Sequence, residues 1–202
     1  ENVGFSIANN QAIKISEAKY ILLLNPDTVV QEDTFTECMT FADATPKLGC
    51  LGVPMFDGTG TFLPESKRGI PTPWASFCRI SGLFRLAPGK ESINSYYAGH
   101  LSPNETNKIE ILCGAFMWMR RETLLEVGVL DEDFFMYGED IDLSWRIIKG
   151  GWDNYYYTYL EDIDLSYNVR KNNYEIIKIS SAKVNHVGFG SHEKKNFSRM
   201  NK

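Results

Sequence analysis

The chain has 202 residues, 43% of them hydrophobic and 23% charged, a balance that supports one folded domain with a real core and excludes an intrinsically disordered segment. Its net charge of -5 excludes a general nucleic-acid binder, because affinity for a phosphate backbone comes from clustered Lys and Arg. The short basic pairs Lys67-Arg68, Arg120-Arg121 and Lys194-Lys195 read as solvated surface.

Residues 4–16 carry apolar side chains at Phe5, Ile7, Ala8, Ala12 and Ile13, a spacing that predicts an amphipathic helix. A buried strand follows at residues 20–24, and Asn25-Pro26-Asp27-Thr28 ends it, since Pro26 cannot continue a central ladder. Residues 32–44 predict a second helix and 50–54 a second strand, so the order helix, strand, helix, strand points to an α/β sheet. From 55 to 107 no period is sustained, which is the texture of a segment that shapes or covers a site. Strand-like composition returns at 109–112 and 115–119, followed by a short helix at 121–127.

The last third holds a duplication, over about residues 131–152 and 153–174. EDIDLS occurs at Glu139-Ser144 and again at Glu161-Ser166. Phe134, Phe135 and Tyr137 precede the first copy as Tyr156, Tyr157 and Tyr159 precede the second. Acids at a helix start are favoured by the helix dipole whatever their role. An Asp at the mouth of a partly apolar pocket can also take a proton from a substrate hydroxyl. Neither copy has the DxDxDG loop of a calcium site. His186 precedes a glycine-containing loop, Val187-Gly188-Phe189-Gly190-Ser191, whose backbone amides can approach an anion. His100 and His192 have no comparable setting.

The four cysteines form no CxxC pair, which fits buried free thiols in a reducing compartment, and no apolar run approaches the length of a membrane span. A cytoplasmic location is the expectation.

Four segments in this order, ENVGFSIANN, LLLNPDT, GAFMWMRRETLLEVGVLDEDFFMYGEDIDLSWR and VNHVGFGS, resemble the rhamnosyltransferase-like branch of family 2 glycosyltransferases. The likeness covers nearly the whole chain, loosely over 55–107. It implies a single GT-A domain over residues 1–202: a mixed, mostly parallel sheet flanked by helices, here without the first β-α-β segment that cradles the nucleotide base. It implies an inverting, metal-dependent enzyme that moves a sugar from a nucleotide-sugar donor to a hydroxyl of a glycan or lipid-linked acceptor. The metal would be Mg²⁺ or Mn²⁺, and the location peripheral to the inner face of a membrane. A catalytically incomplete fragment that serves only as a binding module is the alternative.

The same resemblance implies the site residues. Asn2, Gly4, Phe5 and Asn9 match a segment that helps form the donor site. Asn25 and Asp27 match a DxD-like motif, with Asp27 on the metal and His186 as a second metal or diphosphate contact. Asp140 matches the catalytic base, with Glu139 beside it and Arg146 on the same helix. The duplication leaves Asp162 as the alternative base. Asp140 is preferred because its copy keeps Arg146 and the Gly150-Gly151 helix stop, where the second copy has Asn168 and Asn172-Asn173.

Overall fold

The computed structural model describes residues 2–158. Helix α1 (Phe5–Ile15), strand β1 (Tyr20–Leu24), helix α2 (Thr34–Ala44) and strand β2 (Leu48–Gly52) follow the predicted order. Strand β2 starts two residues before its predicted place because a hydrogen bond from Leu48 N to Thr45 O closes the turn after α2 early. The aperiodic stretch contributes β3 (Lys67–Arg68), α3 (Pro73–Ile80) and α4 (Glu91–Asn94), with 3-10 turns at Pro64–Ser66 and Leu83–Arg85. These pieces are too short to announce themselves by periodicity. Strands β4 (Asn107–Lys108), β5 (Ile111–Leu112) and β6 (Phe116–Arg120) lead to α5 (Arg121–Val127), α6 (Glu139–Lys149) and β7 (Asp153–Tyr156).

Five strands form one sheet in the order β1-β6-β2-β7-β4, and β3 pairs with β5 apart from it. The sheet is mixed and flanked by helices, but its pairing is mostly antiparallel where mostly parallel pairing was predicted. Strand β6 runs antiparallel to both β1 and β2, β4 runs antiparallel to β7, and β2 with β7 is the one parallel pair among the described residues. Strands β1, β2 and β7 do share a direction, as helical crossovers require. Insertion of β6 between β1 and β2 separates the two strands that consecutive βαβ reading would make neighbours.

Alternation along β6 divides the core. Met117 and Met119 pack with Ile13, Leu23, Leu124, Leu143 and Ile147 beneath α1, α5 and α6. Phe116 and Trp118 pack with Cys38, Ala42, Leu48 and Leu51 beneath α2. All five residues of β6 are buried, so both faces of this strand contribute apolar burial, about 1.5–3 kcal/mol for each large side chain. The basic pair expected on the surface is instead partly internal. Arg120 is 8% exposed and donates to the carbonyls of Ala42 and Thr45 at the end of α2 and of Leu48 at the start of β2.

Asn10 does similar work between α1 and the segment before α6. Its fully buried amide donates to Leu130 O at 2.7 Å and accepts from Leu130 N at 3.1 Å, as a paired strand residue would. Replacing it (Asn10→Leu) keeps the volume but strands both backbone groups, so urea denaturation is expected to show a loss of about 3 kcal/mol. The neighbouring exposed pair Lys14–Glu132 is expected to contribute nothing measurable: Lys14→Ala should leave the midpoint unchanged.

Candidate active site

Asp140 is the second residue of α6, a helix whose first turn also holds Glu139 and Asp142. The helix begins where it does because Gly138 takes φ 99°, a conformation glycine adopts without strain, and because a Cβ there would meet the Phe134 ring at 2.9 Å. Its far end stops at Gly150 and Gly151, as the glycine pair predicts. Packing holds it on the sheet: buried Ser144 accepts from Leu112 N at 3.3 Å and its carbonyl accepts from Asn154 Nδ2 at 3.0 Å.

The Asp140 carboxylate, its side chain 14% exposed, accepts hydrogen bonds from the Arg68 guanidinium and from Gly114 N at 3.1 Å. Arg68 also donates to Leu112 O at 3.1 Å, which fixes it across the β3–β5 pair. Glu139 is 7% exposed, with one carboxylate oxygen buried and unpartnered. Burial raises its pKa above the ordinary range, the nearby Asp140 charge adds to this, and backbone donors and Arg68 oppose it.

Of the residues predicted for metal and donor, Asn25 is linked to this cluster by its backbone through one turn. Asn25 N donates to Ala115 O at 3.0 Å, continuing the β1–β6 register from Leu24↔Phe116. Gly114, the residue before Ala115, is the backbone donor to Asp140. The turn at 113–115 therefore joins the end of β1 to the start of α6, with Asn25 half-buried and Asp27 exposed two residues on. A bond from Thr28 N to Asn25 O at 3.0 Å closes the NPDT turn.

The N-terminal segment arrives from the other side. Phe5 N donates to Phe135 O at 2.8 Å, and buried Gly4, at φ 85°, has no room for a Cβ against Phe135. Asn2 accepts from Gly4 N, and Asn9 donates to Phe5 O within α1. Gly4 and Phe5 thus brace the aromatic loop ahead of Asp140, and Asn2 and Asn9 bond to those two residues. In that loop Phe135 and Tyr137 are 57% and 83% exposed, and Tyr137 takes φ 71°, a strained backbone for a bulky residue.

Arg146 lies away from the Asp140 carboxylate. It pairs with Asp142 at 2.6 Å and donates to the carbonyls of Val127, Gly128 and Val129, which ties α6 to the turn after α5. Asp162, His186, Lys194-Lys195 and the second EDIDLS copy lie outside the described residues. The aromatic residues that precede the two copies differ in setting: Phe134 and Phe135 sit in a loop, whereas Tyr156 is a fully buried residue of β7.

Sequence reasoning passed over Arg68. Lys67 and Arg68 looked like a solvated pair, but Lys67 is 3% exposed and donates to the carbonyls of Ala98 and Leu101 at 2.6 and 3.0 Å. Arg68 finds its acid 72 positions later in the chain, a separation that leaves no local signal.

Residues 1–128 match the profile described as "Glycosyl transferase family 2". The chain belongs to this family. Among curated relatives, it is 28% identical to the N-acetylglucosaminyl-diphospho-decaprenol L-rhamnosyltransferase of Mycobacterium tuberculosis over 75% of this chain and 52% of that protein. It is 28% identical to the low-salt glycan biosynthesis hexosyltransferase Agl10 of Haloferax volcanii over 72% of this chain and 43% of the relative. To the rhamnosyltransferase WbbL of Escherichia coli K12 it is 27% identical, over 73% and 55% respectively. The chain spans about half the length of the curated relatives it matches. Among solved structures, A197 from STIV superimposes with a TM-score of 0.42 and 12% identity over 76% of this chain and 61% of that one, too distant to bear on the fold.

Burial lowers the Lys67 pKa to about 8, against about 10.5 in the unfolded chain. Below pH 8 both states hold the proton and the full cost of burying the cation is present. Between pH 8 and 10.5 the folded state gives up its proton first, so stability rises with pH through that window. Urea midpoints of the parent protein should accordingly gain on those of Lys67→Met as pH is raised from 8 to 10; parallel pH curves would show that Lys67 keeps an ordinary pKa.

Proposed function

We propose that this family 2 glycosyltransferase chain carries out inverting transfer of a hexosyl or rhamnosyl group from a nucleotide-sugar donor to a hydroxyl of a glycan or lipid-linked acceptor. The observation that carries the reading is the convergence of Asp140, Arg68 and the end of β1 on the turn at 113–115. The rhamnosyl and hexosyl transfers named for its relatives supply the donor class.

In this reading Asp140 is the base that takes the proton of the acceptor hydroxyl as it attacks the anomeric carbon from the face opposite the nucleotide. Arg68 and Gly114 N–H hold the carboxylate in place, so the order of the site does not depend on the acceptor being present. Exposed Phe135 and Tyr137 offer flat apolar faces to a sugar ring beside it. Glu139, buried behind Asp140, acts as a positioning residue.

The end of β1 offers one carboxylate to a divalent ion, and among the described residues no group of three or more Asp, Glu, His or Cys side chains gathers to hold one. Mg²⁺ is commonly held by one or two carboxylates with the remaining oxygens from substrate phosphates, and Asp27 is an exposed carboxylate next to Asn25 on this turn. Mg²⁺ or Mn²⁺ would offset charge on the departing diphosphate. Asp27 would hold it, with His186 as a further candidate contact.

Loss of the base is expected to lower the rate of transfer by about 10²–10⁴. Asp140→Asn should show this in an assay with a panel of nucleotide sugars and acceptors, while calorimetry shows donor binding largely intact. Full activity in that variant would remove Asp140 from the mechanism, and loss in Asp162→Asn instead would move the base to the second copy. Chelation of divalent ions should abolish transfer and added Mn²⁺ restore it, with Asp27→Asn requiring more metal for the same rate; activity indifferent to chelation would end the metal proposal.

A further inference from the structure

Helix α3 turns apolar residues both inward and outward. Ala75 and Cys78 are buried, while Trp74, Phe77 and Ile80, one turn apart along the opposite side, are 52%, 55% and 88% exposed. They are held in place: the Trp74 and Phe77 rings stack with centroids 5.7 Å apart, and Trp74 Nε1 donates to Ser92 O at 2.7 Å. Thr72 caps the helix by accepting from Ala75 N, and Pro73 opens it, so its start is well determined. Leu86, just after the 3-10 turn at Leu83–Arg85, is 80% exposed.

The charge along this stripe is predominantly positive, with exposed Glu91 at the start of α4 as an acid at its border. From Pro73 to Lys90 there is no Asp or Glu, although the chain as a whole is acidic. Arg79, Arg85 and Lys90 are exposed, and none forms an ion pair among the described residues. The Arg79 guanidinium rests over the rings of Phe84 and Tyr97, 4.6 Å from each centroid, which orients it without neutralising it.

A single exposed Leu or Phe needs no explanation. A stripe of Trp, Phe and Ile bordered by unpaired cations is the composition of a helix that lies in a membrane interface. We propose that α3 and the turn after it dock on an anionic lipid bilayer, with Trp74, Phe77, Ile80 and Leu86 in the headgroup boundary and Arg79, Arg85 and Lys90 against lipid phosphates. A second copy of this chain is the poorer occupant, because a two-fold contact would set this cationic rim against itself. The inference rests on the lipid-linked acceptor for its biological sense, since α3 follows the Arg68 strand by only a short loop. Its measurement needs neither donor nor acceptor.

Co-sedimentation with phosphatidylcholine vesicles, with and without phosphatidylglycerol, tests it on the whole chain at low ionic strength. The parent protein should partition onto the anionic vesicles. Phe77→Ser/Ile80→Ser should lower that partition about tenfold or more, and Arg85→Glu/Lys90→Glu roughly fivefold per charge, on anionic vesicles alone. Ile80, Arg85 and Lys90 are exposed and Phe77 makes a surface stack with Trp74, so both variants should stay folded with at most a small shift in thermal unfolding. Equal partition of the parent and Phe77→Ser/Ile80→Ser, or none by the parent, overturns the proposal. So does a parent dimer in sedimentation that the same variant dissolves, an outcome that gives the face to a second copy. Vesicle binding with no sugar transfer to a detergent-dispersed acceptor would instead leave the docking face standing and remove the transfer reading.

Discussion

Strand β6 is hydrogen-bonded on both edges, to β1 and to β2, and buried on both faces. Its position decides where everything chemical can lie. The turn that feeds it, at 113–115, is carried to the end of β1, where Ala115 accepts from Asn25. The same turn offers Gly114 N to Asp140 at the start of α6. A strand in any other place in the sheet would remove the backbone link between the NPDT turn and the first EDIDLS copy, so the candidate site follows from the strand order more than from any loop.

Much of the remaining structure is pinned by side chains that bond to backbone groups across long stretches of sequence. Asn10 pairs with Leu130, Arg120 with the carbonyls after α2, Lys67 with those of Ala98 and Leu101, and Arg146 with those of residues 127–129. Asn10 bonds both backbone groups of Leu130, where an unsatisfied buried group costs about 1–3 kcal/mol, while Lys67 and Arg120 add second donors to carbonyls such as those of Ala98, Ala42 and Thr45 that also accept from backbone N–H groups. This explains how the stretch from 55 to 107, with few regular elements, can still be held close to the site. It also explains why Lys67 and Arg120 of an acidic protein are turned inward.

The outward side of that stretch has the opposite character. Trp74, Phe77, Ile80 and Leu86 are exposed there and Arg79, Arg85 and Lys90 form no ion pair among the described residues, so the proposed docking face lies on the segment that braces Asp140 through Arg68. Binding of acceptor and attachment to a membrane would then share one part of the fold.

Local pattern was enough for several features. The 3.6-residue spacing placed α1, the aliphatic run ending at Pro26 placed β1 and the close of its strand, and acidic residues ahead of Gly150-Gly151 placed both ends of α6. These are short-range effects of burial, helix dipole and backbone freedom, and the first 128 residues carry enough of them in order to mark the family. The sequence by itself thus determined the class of fold, the family and the acidic side chains worth testing. Tertiary structure alone decided that β6 enters between β1 and β2, that Lys67 and Arg120 go inside, that Arg146 serves the turn after α5, and that Arg68 meets Asp140. Those four outcomes depend on which distant groups come to share a small volume, and a chain read a few residues at a time holds no record of that distance.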